Sequence, residues 1–149
     1  MAIERIVPGT KEWEAYYANH IIRYQFAAQI LRPQNVTNIL DAACGVGYGS
    51  KYLSGELPTT SITSIDRSTA ALATANATFS SSAIRFIEDD CHTLDAAAQY
   101  APFNSVVSFE TLEHLPKPKD FLNLKKRFRE KRLFLPRNSF KSIKINLKK

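Results

Sequence analysis

Two rhythms of apolar positions alternate along this chain. Trp13, Tyr16, Tyr17, His20, Ile21, Tyr24, Ala28 and Leu31 recur at intervals of three and four, which predicts a helix with one apolar face that Pro33 closes. Short apolar runs follow at Val36 to Asp41, Ser61 to Asp66, Ala83 to Ile87 and Ser105 to Glu110, each of a length that suits a strand. Helical stretches separate them. One runs from about Tyr48 to Leu53 with Gly55 placed to cap it, and the next starts from Ser68 as N-cap and carries Leu72, Ala75 and Phe79 on one side. The segment Leu115-Pro116-Lys117-Pro118 is a rigid break before a helix bearing Phe121, Leu124 and Phe128. Strands alternating with helices predict an α/β fold, a doubly wound and mostly parallel sheet of four to five strands behind a leading helix. The chain holds no internal repeat and no low-complexity linker.

Composition sharpens this only in part. At 149 residues, 44% apolar and 23% charged, the chain has the size and balance of one globular domain. No apolar run approaches a membrane span, and the start, with Glu4 and Arg5, lacks a secretory pattern, so the expected location is cytoplasmic. Cys44 and Cys91 stand too far apart in sequence for a metal knuckle or a redox pair. After strands two places apart in a sheet they would lie roughly 10 Å from each other, beyond a disulfide's reach.

The net charge of +6 conceals a division. Residues 1 to 120 carry 9 Lys and Arg against 13 Asp and Glu, whereas residues 121 to 149 carry 11 against 1. Any argument from basicity therefore concerns the end of the chain alone. Its aromatics, Phe128, Phe134 and Phe140, are too sparse for base stacking, so nucleic acid is not an expected partner.

Candidate chemistry gathers where the strands end. Asn38 to Ser50 reads Asn-Ile-Leu-Asp-Ala-Ala-Cys-Gly-Val-Gly-Tyr-Gly-Ser, a strand closing in an acid and a cluster of three glycines. Such a turn brings backbone N–H groups and a helix N-terminus up to a ligand. A dinucleotide fingerprint wants its third glycine where Ser50 stands, and here it is Gly49. Every predicted strand ends in acid: Asp41, Asp66, the run Glu88-Asp89-Asp90, and Glu110. Ligands of open parallel sheets bind beyond those ends, so the implied crevice is negative and unsuited to a pyrophosphate.

Asp41-Ala42-Ala43-Cys44-Gly45-Val46-Gly47-Tyr48-Gly49 resembles the first motif of class I S-adenosylmethionine-dependent methyltransferases, and Phe109-Glu110-Thr111-Leu112-Glu113-His114-Leu115 resembles the fourth motif of their type 11 small-molecule branch. The resemblance covers about Glu12 to Phe128. It implies a Rossmann-like sheet, incomplete relative to the family's seven strands, with S-adenosylmethionine as cofactor. A cation of net positive charge also suits the acidic crevice. By the same resemblance Asp41 and the backbone around Ala43, Gly45 and Gly47 hold the methionine end, Asp66 takes the ribose hydroxyls with Arg67 beside it, Asp90 (or Asp89) takes the adenine amino group, and the Cys91 N–H takes a ring nitrogen. Glu110 joins the cofactor site, and Tyr17, His20, Arg23 and Tyr24 of the leading helix are further candidates to contact cofactor or substrate. His114 is the candidate general base. Glu110, Glu113 and His114 form an incomplete shell for a cation, so no metal is expected. The block Asn/Asp-Pro-Pro-Tyr/Phe typical of base and glutamine methylation is missing.

The expected activity is methyl transfer to O or N of a small-molecule acceptor. The alternative is an inactive methyltransferase-like fragment that only binds the cofactor. The expected layout is a helical cap over residues 1–35, a cofactor-binding core over 36–124 and a basic tail over 125–149. That tail reads as a foreign end, loosely packed over residues 137–149 and marginal for stability: no glycine follows Gly55, and the charge changes abruptly. Without a native fifth strand, Val106, Val107 and Phe109 would lie on an open apolar edge that invites self-association, with Arg132 to Leu135 as the segment that can cover it.

Overall fold

The computed structural model describes residues 6–123 together with the backbone of residues 132–135. The expectations for Leu124, Phe128 and residues 137–149 lie outside these residues.

The leading helix α1, Lys11–Leu31, starts at Thr10, whose hydroxyl accepts the Trp13 N–H at 3.1 Å. Then follow β1 (Asn38–Ala42), α2 (Tyr48–Glu56), β2 (Ser61–Asp66), α3 (Thr69–Phe79), β3 (Ile84–Glu88), β4 (Ser105–Phe109), α4 (Pro118–Asn123) and β5 (Arg132–Leu135). The five strands form one sheet in the order β3-β2-β1-β4-β5, every pair parallel.

Two features organise the sheet. Central strands are buried on both faces, as parallel sheets require, while the edge strand β3 alternates with exposed positions. Side chains divide by parity: Ile39, Ile62 and Val107 meet α1 and α2 residues such as Ala27, Leu31 and Leu53, whereas Leu40, Ile65 and Val106 meet Leu94, Phe103 and Phe121. Asn104 locks β1 beside β4, its Oδ1 accepting the backbone N–H groups of Thr37 and Asn38 at 2.9 Å each.

The start of β1 and the end of α2 depart from the sequence expectation. β1 starts at Asn38 rather than Val36, because the Val36 carbonyl is taken by the Thr60 hydroxyl and the Thr37 N–H by Asn104. α2 runs through Gly55 to Glu56 instead of being capped by it. It stops at Leu57, the residue before Pro58, where the proline ring disfavours helical backbone. Ser68 does cap α3, its hydroxyl accepting the Ala71 N–H at 3.3 Å.

β4 is not the sheet edge. Arg132–Leu135 pairs with it in register from Val106↔Arg132 to Phe109↔Leu135, so among the described residues the outer edge on that side is β5. No helix among these residues is long and apolar enough to cross a membrane.

Candidate functional site

Beyond the carboxyl ends of β1 to β4, with α1 as a wall, lies a cleft of about 320 Å³, a volume within the range of small-molecule sites. Ala43, Gly45, Asp66, Arg67, Asp90, Cys91, Glu110 and His114 all line it. Asp41 and Gly47 do not. Four carboxylates (Asp66, Asp89, Asp90, Glu110) face two guanidinium groups (Arg23, Arg67), so the expected negative crevice is present.

The glycine turn explains itself residue by residue. Ala43 adopts φ +62°, a left-handed conformation that costs a non-glycine residue free energy and is concentrated at functional sites. At Gly47, φ is +85° and a Cβ would sit 2.7 Å from the Phe86 ring and 2.9 Å from Ala75, so this glycine lets the turn pack on α3 and β3 rather than admit a ligand. Gly49 serves a different neighbour: its Cβ would fall 2.0 Å from the Tyr24 ring, and the missing side chain is what lets α1 lie on α2. Cys44 ties the turn to β2 through its N–H to the Ile65 carbonyl at 2.8 Å.

Asp66 braces the turn. Its Oδ2 accepts the Gly45 N–H and its Oδ1 the Ser68 N–H, both at 2.9 Å. A carboxylate oxygen has room for a second bond, so Asp66 can still accept hydroxyls from the cleft.

Asp41 lies beneath the cleft, fully buried. The sequence places it at a strand end, but β1 continues to Ala42, which leaves Asp41 inside the strand and on the side of Ile39, facing α1 and α2. There it accepts the Ser50 hydroxyl at 2.6 Å on Oδ2 and the Tyr24 hydroxyl at 3.3 Å on Oδ1, and Ser64 donates onward to Ser50 at 2.8 Å. Burial without a cation pushes its carboxyl up to about 7, against the pull of the two hydroxyl bonds. Burial also raises the Tyr24 phenol and the Cys44 thiol well above their usual values, and the Cys91 thiol to about 12, so both cysteines are free thiols, protonated near neutrality.

After β3 the two aspartates separate in function. Asp89 gives each oxygen to a backbone N–H, Asp90 at 2.8 Å and Ala97 at 2.7 Å, and so staples the loop. Asp90 receives both the N–H and the Nδ1 of His92 on Oδ1, at 2.7 Å each. The backbone bond, then the ring bond, hold its carboxyl below the ordinary range.

On the α1 side, Arg23 forms an ion pair with Glu110 at 2.8 Å, both side chains largely shielded. Glu110 follows β4 at φ +53°, the second left-handed non-glycine residue in the cleft wall. Tyr48, the first residue of α2, is a hub: its ring stands edge-on to Trp13, Tyr17, His20 and Tyr24 at centroid distances of 5.5 to 6.5 Å, and its hydroxyl meets His20 Nδ1 at 3.2 Å. Of these aromatics, Tyr24, His20 and Tyr48 line the cleft, whereas Tyr17 does not. His114 sits exposed on a short 3₁₀ turn, Leu112–His114, at the rim. Glu113 does not share the cleft with it, and among the described residues no cluster of three or more His, Cys, Asp or Glu is placed to hold a metal ion.

Residues 39–129, which include most of the residues that line this cleft, match the family model for the methyltransferase domain. The chain belongs to that family. That family uses S-adenosylmethionine as methyl donor. Among solved structures, this methyltransferase domain is similar to a protein of Staphylococcus aureus assigned as a caffeoyl-CoA O-methyltransferase, with 18% identity and a TM-score of 0.67 over 87% of this chain and 66% of the other. It is also similar to the plantazolicin methyltransferase BpumL, solved in complex with SAH, at 22% identity and a TM-score of 0.64 over 90% and 56%. A third is the methyltransferase domain of bacterial CtHen1-C, at 18% identity and 0.62 over 70% and 58%. The chain thus spans about three-fifths of the length of these structures, which support the fold. No curated protein matches it in sequence.

Sequence reasoning missed His92, Tyr48 and Ser50. His92 had a signal, a histidine two residues after an acid at a strand end. Ser50 had none, since its partner Asp41 is reached only once α2 is folded against β1.

Proposed function

We propose that this methyltransferase domain holds S-adenosylmethionine in the cleft and passes its methyl group to the O or N of a small-molecule acceptor. The observation that carries the reading is the family match over the segment that supplies the glycine turn, Asp66 and Glu110. The residues suit the donor. Space above Gly45 is open, Asp66 keeps acceptor capacity, and the surplus of carboxylates complements a cation.

When bound, S-adenosylmethionine supplies a methyl on a sulfonium, with a neutral thioether as leaving group. The protein's share is alignment and the removal of one proton. In this reading Ala43 and Gly45 contact the methionine end through backbone, Gly47 and Asp41 shape the turn from behind, and Asp66 with Arg67 holds the ribose. Asp90 and the Cys91 N–H hold the base. Glu110, fixed by Arg23, walls the reacting end, and His114 accepts the acceptor's proton.

The alternative reading is binding of S-adenosylmethionine without turnover. Calorimetry with S-adenosylmethionine and SAH tests the first step. Asp66→Ala should weaken binding by roughly 5- to 150-fold, the equivalent of about 1–3 kcal/mol of lost hydrogen bonds to buried hydroxyls. Unchanged affinity in a folded variant, or tighter binding of NAD, would overturn the assignment. Turnover with candidate acceptors then separates enzyme from binder.

A further inference from the structure

His92 has no role in the reading above, although it lines the cleft and reaches Asp90 twice. Both contacts fall on the same carboxylate oxygen, Oδ1, at 2.7 Å. The Asp90 side chain is 54% exposed, and without the ring contact it would sample several rotamers, whereas the His92 side chain is 26% exposed and its Nε2 is shut off from solvent. The ring is therefore the fixed partner and the carboxylate the one being held. A carboxylate only accepts, so Nδ1 carries the hydrogen of this bond. Nε2 has no hydrogen-bond partner among the described residues and takes no part in this contact. Asp89 already accepts a backbone N–H on each oxygen, so its carboxylate is oriented by the loop itself and not by a neighbouring ring.

We infer that His92 is a positioning residue for recognition of the donor's purine: by pinning Oδ1 of Asp90 it presents Oδ2 to an exocyclic amino group. This rests on the methyl-donor reading. An amino group donates to the carboxylate, whereas a carbonyl at the same ring position sets lone pairs against it. A fixed carboxylate discriminates between them; a freely rotating one turns away from the carbonyl and loses the distinction.

The test is calorimetry of S-adenosylhomocysteine against its deaminated analogue, S-inosylhomocysteine, in the full chain. The wild type should prefer the adenosyl ligand by roughly tenfold or more. His92→Ala and His92→Phe, the second keeping ring volume, retain the backbone bond to Asp90 but lose Nδ1, and should bring that preference down to a few-fold without weakening the inosyl ligand. His92→Asn places an N–H where Nδ1 stood and should restore it. Preference unchanged in both loss variants, or equal weakening of both ligands with no rescue by Asn, would show His92 to be a loop staple and overturn the inference alone. A wild-type chain that binds neither ligand overturns the methyl-donor reading together with it.

Discussion

Asp41 offers a measurement in which one buried carboxyl can be read against all others. Its folded value is about 7 against an ordinary 3.8, a rise caused first by burial. A gap of about three units corresponds to about 4 kcal/mol of differential stability. The sign follows from proton counting. The native state holds this proton more tightly than the unfolded chain, so the contribution is fully present below pH 3.8 and is lost as pH rises through about 7. Asp41→Asn removes that dependence. In the variant the Ser50 hydroxyl, at 2.6 Å in the parent, can still donate to the amide oxygen, while the weaker 3.3 Å contact with Tyr24 must reverse direction. That exchange costs about 1 kcal/mol. Urea titrations at pH 5, 6, 7 and 8 on both proteins give the difference, in which every other titrating group cancels to first order. The variant should be about 0.5–1 kcal/mol more stable at pH 5 and about 3 kcal/mol more stable at pH 8, the advantage growing steadily across the series. A difference that is flat with pH, or a variant destabilised at pH 8, would refute the reasoning: Asp41 would then be charged in the fold at little cost.

The glycines make an internal comparison. Gly55→Ala meets nothing within 4 Å in the last turn of α2 and should stabilise by about 0.5–1 kcal/mol, whereas Gly47→Ala and Gly49→Ala drive a Cβ into the Phe86 and Tyr24 rings and should each cost about 2 kcal/mol or more, all read as shifts in urea midpoint. Breaking the Arg23–Glu110 pair by Arg23→Ala takes the guanidinium away from a shielded carboxylate and should lower stability by about 1–3 kcal/mol, an effect that Arg23→Ala/Glu110→Gln largely restores in a double-mutant cycle. His114→Ala should lower the methylation rate by roughly 10²-fold with cofactor affinity unchanged, and a loss of affinity instead would remove it from proton transfer.

Strands, their parallel arrangement and the clustering of acids at their ends were legible because each rests on local sequence: period, length and the residue that follows. So was the Ser68 cap. Residues whose placement depends on neighbours distant in sequence were not. Asp41 reads as a strand-end acid, and only the continuation of β1 through Ala42 turns it away from the crevice. Val36 reads as strand until Thr60 claims its carbonyl. The third glycine looks like a ligand-approach residue in the motif, yet Gly49 exists for Tyr24, 25 positions earlier in the chain. The stop of α2, like His92, was legible and passed over: Pro58 marks it more firmly than Gly55 does.

The placement of α1 changes what the expected cap means. His20, Arg23 and Tyr24 occupy one face of the helix at helical spacing, and each reaches a different element at or beneath the cleft: Tyr48 at the head of α2, Glu110 after β4, and Asp41 within β1. Behind them Ile21, Ala27, Ala28 and Leu31 belong to the same core as Ile39, Ile62 and Val107. A lid that opened as a rigid body would have to break the ion pair, both hydroxyl contacts and that apolar face together, exposing side chains worth about 1.5–3 kcal/mol each when fully buried. Such an opening is far costlier than the few kcal/mol that separate functional substates. α1 is therefore a wall of the cleft, integral to the domain, and the sides open to a ligand are those where Arg67, Asp90 and His114 lie exposed in the lining.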